Sequence, residues 1–347
     1  MLQSLHDEPH LTRADLARRT GLTRVTISDI VAQLIADQLV TETGQTTTVR
    51  PGKPATMLTV RDDSRDIVAI DISAPDFIVG AICSPRGAER ERVVVPLASA
   101  TGQDAVDAVL ELAATLVARS HNQLLGIGVG TPGIVDGDGV VLAAPNLAWH
   151  NLPLREHLEQ RLGVLVAVEN DANAAAMAEK SFADGPGDLM RVQISRGVGA
   201  GLLLDGQIVH GAFWAAGEIG HVVVEVDGDP CACGKRGCLE TWASSPALTA
   251  RIAAAPGHRE AILDAAGQRL GVALAPVVAA LDLTDIVLGG PASLLDGAFR
   301  DAARAHIVNV TESEFRKNVT LRLSPLDDRA VLLGAVALVR RLSLGVS

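Results

Sequence analysis

Three of the four cysteines stand in one C-x-C-x4-C cluster, Cys231, Cys233 and Cys238, and His221 lies shortly before them in the stretch AGEIGHVVVEVDGDPCACGKRGCLE. Zinc takes four tetrahedral ligands of thiolate and imidazole type, and these residues supply that number. A closed set of four leaves no position for a reactive water, so such a metal would be structural. Chance clustering, a disulfide or a redox pair are the alternatives. Thiols as close as those of C-x-C bridge poorly, and the start MLQSLHDEPH has neither the basic nor the apolar region of a secretory signal, which favours zinc. Gly234 and Gly237 permit the positive-φ turns that would aim three thiolates inward.

Two carboxylates, Glu218 and Glu240, bracket the loop. Clamped by metal, both would be held near His221, whose second ring nitrogen could donate to a ligand hydroxyl. Carboxylates accept the hydrogen bonds that sugar hydroxyls offer, so the group suits a polyhydroxylated molecule; the alternative is a pair of solvated loop residues. A second polar group, Glu169-Asn170-Asp171-Ala172-Asn173, lies where a strand ends and a helix starts, the usual ligand position in α/β folds. Asp171 could act there as a general base on a sugar hydroxyl with Asn170 holding its neighbours, although Asn-Asp is equally a good helix cap. Trp214 could cover one sugar face or simply pack at a strand end.

The elements that must position these residues can be traced along the chain. Its 347 residues suffice for two or three domains, and 48 % hydrophobic content without a tyrosine describes a buried α/β globule. No apolar run approaches the ~20 residues of a membrane span, so a cytoplasmic protein with no membrane partner is expected. The net charge of −11 falls outside residues 1–60, where six Lys/Arg offset six Asp/Glu, leaving that segment the least repelled by phosphate.

Within it, Thr12-Arg13-Ala14-Asp15 reads as a capping box that opens a helix, Gly21 as its left-handed stop, and Thr23 as the cap of a second helix with Ile27, Ile30, Val31, Leu34 and Ile35 at helical spacing. Two short helices and a Gly turn make a helix-turn-helix. Thr23, Arg24, Thr26 and Ser28 at the start of the second helix suit base edges and phosphates. Strands at Leu39–Glu42 and Ala55–Val60 flank a wing whose tip carries Arg50 and Lys53 among Pro and Gly. After a charged linker, 61–65, apolar runs alternate with helices in the order ββ β α β α, and the order repeats after residue 187; Val222 to Val226 reads as one of the strands. Cys83 reads as a small core residue.

AGEIGH followed by C-x-C-G-x-x-G-C-L-E resembles the signature of the ROK family, which groups bacterial sugar kinases with sugar-responsive repressors. The run LTRADLARRTGLTRVTIS and the later GKPA resemble the N-terminal domain of its repressors. The resemblance implies an α/β fold with an N-terminal winged helix-turn-helix (1–60), followed by a two-lobed actin-like, hexokinase-like module with a structural zinc loop. The lobes are expected at 66–186, completed by a helix in 329–347, and at 187–328, with the zinc loop at 217–240. It also implies a sugar site of Asn146, Asn170, Asp171, Glu218, His221 and Glu240, with Asp171 at the position of the kinase base. The phosphate loops depart from the family's kinases: Asp71-Ile72-Ser73-Ala74-Pro75-Asp76 lacks the D-x-G-G-T pattern, Ser195-Arg196-Gly197-Val198-Gly199 carries an arginine for a hydroxyl, and Gly289-Gly290 runs into Pro291. APGH in 254–260 is shorter than in family repressors. The expectation is a sugar-responsive repressor that binds operator DNA as a homodimer or homotetramer, because helix-turn-helix proteins read paired half-sites. A sugar kinase with a DNA-binding extension is the alternative.

Overall fold

The computed structural model describes residues 1–8, 10–45, 55–61, 64–314 and 318–346. Its N-terminal unit comprises α1 (Leu2–Asp7), β1 (Leu11–Thr12), α2 (Arg13–Thr20), α3 (Arg24–Ala36), β2 (Val40–Gln45) and β3 (Thr56–Val60), with an antiparallel sheet in the order β1-β3-β2. Thr12 accepts from the Asp15 amide and Asp15 bonds back to the Thr12 amide, completing the capping box that starts α2. Gly21, at φ 69°, stops it in the left-handed conformation. Leu5, Leu11, Leu16, Ile27, Val31, Val40 and Leu58 form the buried core. Both α1 and the two-residue β1 escaped the sequence reading, being too short for periodicity to register. The wing tip with Arg50 and Lys53 lies outside the described residues, as do residues 62 and 63 of the linker. Arg65, expected in that linker, is instead the buried first residue of a strand, and its Nη2 donates to Asp37 O at 2.5 Å in the N-terminal unit.

The rest is built on two five-stranded sheets. The first contains β4 (Arg65–Asp71), β5 (Phe77–Cys83), β6 (Glu89–Pro96), β7 (Gln123–Thr131) and β11 (Val166–Asn170), in the order β11-β7-β4-β5-β6. Helix α4 (Gly102–Arg119) precedes β7, and the short strands β8 (Ile134–Val135), β9 (Val141–Ala144) and β10 (Trp149–Leu152), then α5 (Leu154–Leu162), separate β7 from β11. Helix α6 (Asp171–Phe182) follows. The second sheet contains β12 (Leu189–Ile194), β13 (Val198–Leu204), β14 (Gln207–Ile208), β15 (Asp285–Gly289) and β16 (Thr320–Leu323), in the order β14-β13-β12-β15-β16. Helices α7 (Glu240–Ala243), α8 (Ser245–Ala254), α9 (Arg259–Leu281), α10 (Ala292–Leu295) and α11 (Ala298–Thr311) complete this half, and α12 (Ala330–Leu344) returns to the first. In each sheet the three antiparallel strands come first in sequence and two parallel strands are added beside the first of them, so the repeat read from the chain is a repeat of topology.

Helix α6 holds the halves together. Its alanines let backbones approach on both sides: a β-carbon on Gly201 of β13 would lie 2.3 Å from Ala172 O, and one on Gly334 of α12 would lie 1.9 Å from Ala174 O. On the far side α12 covers the first sheet, burying Leu332, Ala335, Val336 and Val339 against Ile67, Ala69, Val79, Ala81 and Cys83. The helix Pro256–Leu281 is long and apolar enough to cross a membrane, which the sequence reading did not find. Leu263, Leu270, Leu274 and Val278 place it instead in the core of the second half. Val222 to Val226 is not a strand: only Val223 forms an isolated bridge, to Cys238, while Val222, Val223 and Val226 are exposed. The run meets the end of the cysteine loop instead, where Val224 N donates to Gly237 O and Leu239 N donates to Val222 O, each at 2.8 Å.

Candidate functional site between the lobes

His221 closes a one-turn 3-10 helix, Ile219–His221, which brings its ring against the cysteine loop. One ligand atom each from His221, Cys231, Cys233 and Cys238 lies within 4.8 Å of the others. His221 Nδ1 is 3.6 Å from Cys231 Sγ, and Cys233 Sγ is 3.6 Å from Cys238 Sγ. Metal–sulfur bonds of about 2.3 Å give a tetrahedron edges of about 3.8 Å, so the donor set fits a tetrahedral metal. Gly237, at φ 70°, is required: a β-carbon there would sit 1.7 Å from Glu225 O. The loop is braced from outside by Trp242, whose ring lies between the guanidinium groups of Arg251 (3.8 Å) and Arg269 (3.5 Å) and whose Nε1 donates to Glu225 (2.8 Å). This sandwich was not read from the sequence, since its members are spread from 225 to 269.

Between the two sheets lies a cavity of about 460 Å³, and Asn146, Asn170, Asp171, Glu218, His221 and Glu240 all line it. Asn146 comes from the 3-10 turn Pro145–Leu147 after β9. Asn170 caps α6: its Oδ1 accepts from the amides of Ala172 (2.9 Å) and Asn173 (3.1 Å), and its Nδ2 donates to Gly133 O (2.8 Å). Capping and cavity-lining roles thus coincide, with one amide hydrogen left for a ligand. Asp171 opens the helix, and burial, reinforced by the neighbouring Asp71 charge, pushes its carboxyl up to about 7. Asp71 itself is raised by burial and accepts from the Ser73 amide at 2.8 Å.

From the second half, His221 turns Nε2 toward Glu218 at 4.0 Å, since Nδ1 faces the thiols. Burial raises the Glu218 carboxyl, against the lowering effect of His221. Glu240 accepts from the Val198 amide at 3.1 Å, over the hairpin turn that carries Arg196. Ser73, Pro75, Ser195 and Arg196, from the loops that depart from the kinase pattern, line the same cavity; Pro291 lines a separate one of about 480 Å³ with Ser245, Thr249 and Arg259. Trp214 is not among the cavity residues. It packs on His210, ring centroids 4.9 Å apart, and against Gly137, where a β-carbon would lie 2.8 Å from its Cη2.

On the N-terminal unit, Thr23, Arg24, Thr26 and Ser28 are all exposed on the first turns of α3. The Thr23 hydroxyl caps the helix through the Thr26 amide at 3.2 Å, and Ser28 Oγ donates to Arg24 O at 2.9 Å, which leaves Arg24 the longest unconfined donor of the group. Beside it Val25 is 71 % exposed, an apolar side chain that periodicity gave no reason to single out.

A family model described as "ROK family" matches residues 67–342. The chain is 30 % identical to the "Xylose repressor" of Caldicellulosiruptor bescii, over 98 % of this chain and 94 % of that one. Among solved structures, a ROK family transcriptional regulator described as a homolog of the Escherichia coli MLC protein superposes with a TM-score of 0.85 at 25 % identity, covering 99 % of this chain and 95 % of that one. A ROK family glucokinase from Streptomyces griseus, in complex with glucose and AMPPNP, gives a TM-score of 0.69 at 27 % identity, covering 80 % of this chain and 99 % of its own.

Proposed function

The chain belongs to the ROK family, and from that premise we propose that it is a sugar-responsive DNA-binding repressor, with the effector held between the lobes by Asn146, Asn170, Asp171, Glu218, His221 and Glu240. The observation that carries this reading is the coexistence of an exposed recognition-type helix, α3, with a cavity lined by polar groups from both halves. Carboxylates and amides on both walls offer acceptors and donors to a polyol, so a sugar favours the lobe spacing at which both walls reach it. A ligand shifts an equilibrium only by its differential affinity for two states. Here those states are two lobe spacings, and the tie between Arg65 and Asp37 hands the difference to the N-terminal unit. Two such units in a homodimer or homotetramer would read paired half-sites through Thr23, Arg24, Thr26 and Ser28, with Arg50 and Lys53 of the wing on the backbone.

Zinc is the metal we assign to His221, Cys231, Cys233 and Cys238. Bound there it would fix the loop and the imidazole orientation; His221 would then present Nε2–H to a ligand hydroxyl. The kinase reaction is not part of the proposal, because Pro75 and Asp76 stand where a phosphate loop needs amide donors. The xylose named in the relative's description makes that sugar the first to try.

One observation favours the kinase alternative: a carboxyl raised to about 7 is what a general base requires. Thermal melting with a panel of pentoses, hexoses and amino sugars, with and without ATP-Mg²⁺, decides between them when ADP release is followed in the same wells. Stabilisation by a sugar without ADP, together with a sugar-dependent change in operator binding, is the expected result. Sugar-dependent ADP release would overturn the non-enzymatic reading.

A further inference from the structure

Two side chains that the sugar site does not include join its walls. His210 follows β14 in the second half, and its Nε2–H donates to Glu169 Oε2 at 2.8 Å, at the end of β11 in the first. Glu169 is buried, and its other oxygen accepts from the Asn170 amide at 2.9 Å and from Asn173 Nδ2 at 3.0 Å. The His210 ring is held on its other side by Trp214, which in turn abuts Gly137 in the first half. A strap from 209 to 217 thereby touches the opposite lobe twice, and its last residues, Ala216 and Gly217, line the cavity.

We infer that His210 is a positioning residue for the effector site: acting through Glu169, it fixes the turn that carries Asn170 and Asp171 and ties the two lobes at the spacing that binds ligand. The physical reason is the state of Glu169. A buried carboxylate needs its oxygens paired, and two of the three hydrogen bonds described for it come from its own half. Removal of the third frees Oε2 to seek water, which draws the carboxylate away from the Asn170 amide and loosens the start of α6. A hydrogen bond to a charged acceptor contributes about 1.5–3 kcal/mol, so its loss corresponds to roughly 10- to 100-fold in an equilibrium coupled to it.

This inference rests on the reading of the cavity as a sugar site, and the test separates the two. Binding of D-xylose and D-glucose is measured by calorimetry for the full-length wild type, His210→Ala and His210→Gln, and hydrogen exchange is followed without sugar in peptides spanning 167–175. The glutamine amide can replace the Nε2–H donor but not the ring on Trp214. Expected are a loss of roughly tenfold or more in sugar affinity for H210A, faster exchange at 170–174, and recovery of both in H210Q. Equal damage in H210A and H210Q would show that only ring packing matters, and unchanged affinity and exchange in H210A would show that nothing does; either overturns the inference. If neither sugar nor any of the wider panel binds the wild type, the reading of the cavity falls. The exchange arm then still decides whether His210 holds the turn.

Discussion

Asp171 carries the sharpest titration signature on the cavity wall. Its carboxyl rises from 3.8 to about 7 in the folded chain, chiefly through burial. The folded state therefore keeps a proton that the unfolded state releases above pH ~4, and stability falls as pH climbs from there through 7. Asp171→Asn removes this dependence. Between pH 5 and pH 8 the variant is expected to lose roughly 2 kcal/mol less unfolding free energy than the wild type, at about 1.4 kcal/mol per pKa unit. Urea denaturation at the two pH values checks it, and parallel pH curves for the two proteins would refute it. Arg24 is the other residue with a separable effect. If it contacts phosphate, Arg24→Ala should reduce the salt slope of binding to a random-sequence duplex by about 1. Fluorescence anisotropy across a salt series measures this, and an unchanged slope would move Arg24 off the backbone.

One element depends on close fits that composition hides. Helix α6 reads as merely Ala-rich, yet its small side chains are what allow β13 and α12 to pack backbone against backbone on it. Gly334→Ala places a methyl where Ala174 O already stands 1.9 Å away. A loss of about 2 kcal/mol or more is expected from such overpacking, and a melting temperature within a degree of the wild type would contradict it. The cysteine loop depends on something else. Among the described residues its valines form no strand, and besides scattered backbone hydrogen bonds, such as Val224 N–H to Gly237 O (2.8 Å), and the Arg251–Asp229 ion pair, it is the ligand cluster and the Trp242 sandwich that hold 222–238. Cys238→Ser is expected to abolish bound zinc, measured by elemental analysis, and to weaken sugar binding at least tenfold, because His221 loses its fixed orientation. Zinc-free wild type with full sugar affinity would remove the metal from the account.

At the scale of the molecule, a buried charge network joins the halves. Glu179 of α6 accepts from Arg191 of β12 (3.3 Å) and Arg322 of β16 (3.4 Å), and Ser324 also bonds to it; Arg322 continues to Asp285 (2.9 Å). Glu179 and Arg191 are both essentially inaccessible. Glu179→Gln leaves the arginine buried without its counter-charge, and a destabilisation of about 3 kcal/mol is expected from denaturant unfolding. A cost below 1 kcal/mol would mean that water reaches the network. Because Glu179 and Asp171 share one helix, this network anchors the far end of the element whose first turn lines the cavity.

The sequence by itself determined what local chemistry fixes. The capping box at Thr12, the left-handed Gly21 and the cap at Thr23 are set by residues three or four positions apart, and the structure has each of them. The cysteines that gather with His221 into a cluster able to hold a metal were legible from their close spacing. The family signature carried the six cavity residues, drawn from 146 to 240, into one list. Tertiary structure alone decided the rest, because its terms are set by contacts between residues far apart in sequence. Glu169 and His210, 41 positions apart, meet only when two sheets face each other. The valines of 222–226 have the pattern of a strand, but the segment they meet, 237–239, belongs to the cysteine loop and turns at Gly237, so the pairing stops at one bridge and a few hydrogen bonds and leaves Val222, Val223 and Val226 exposed.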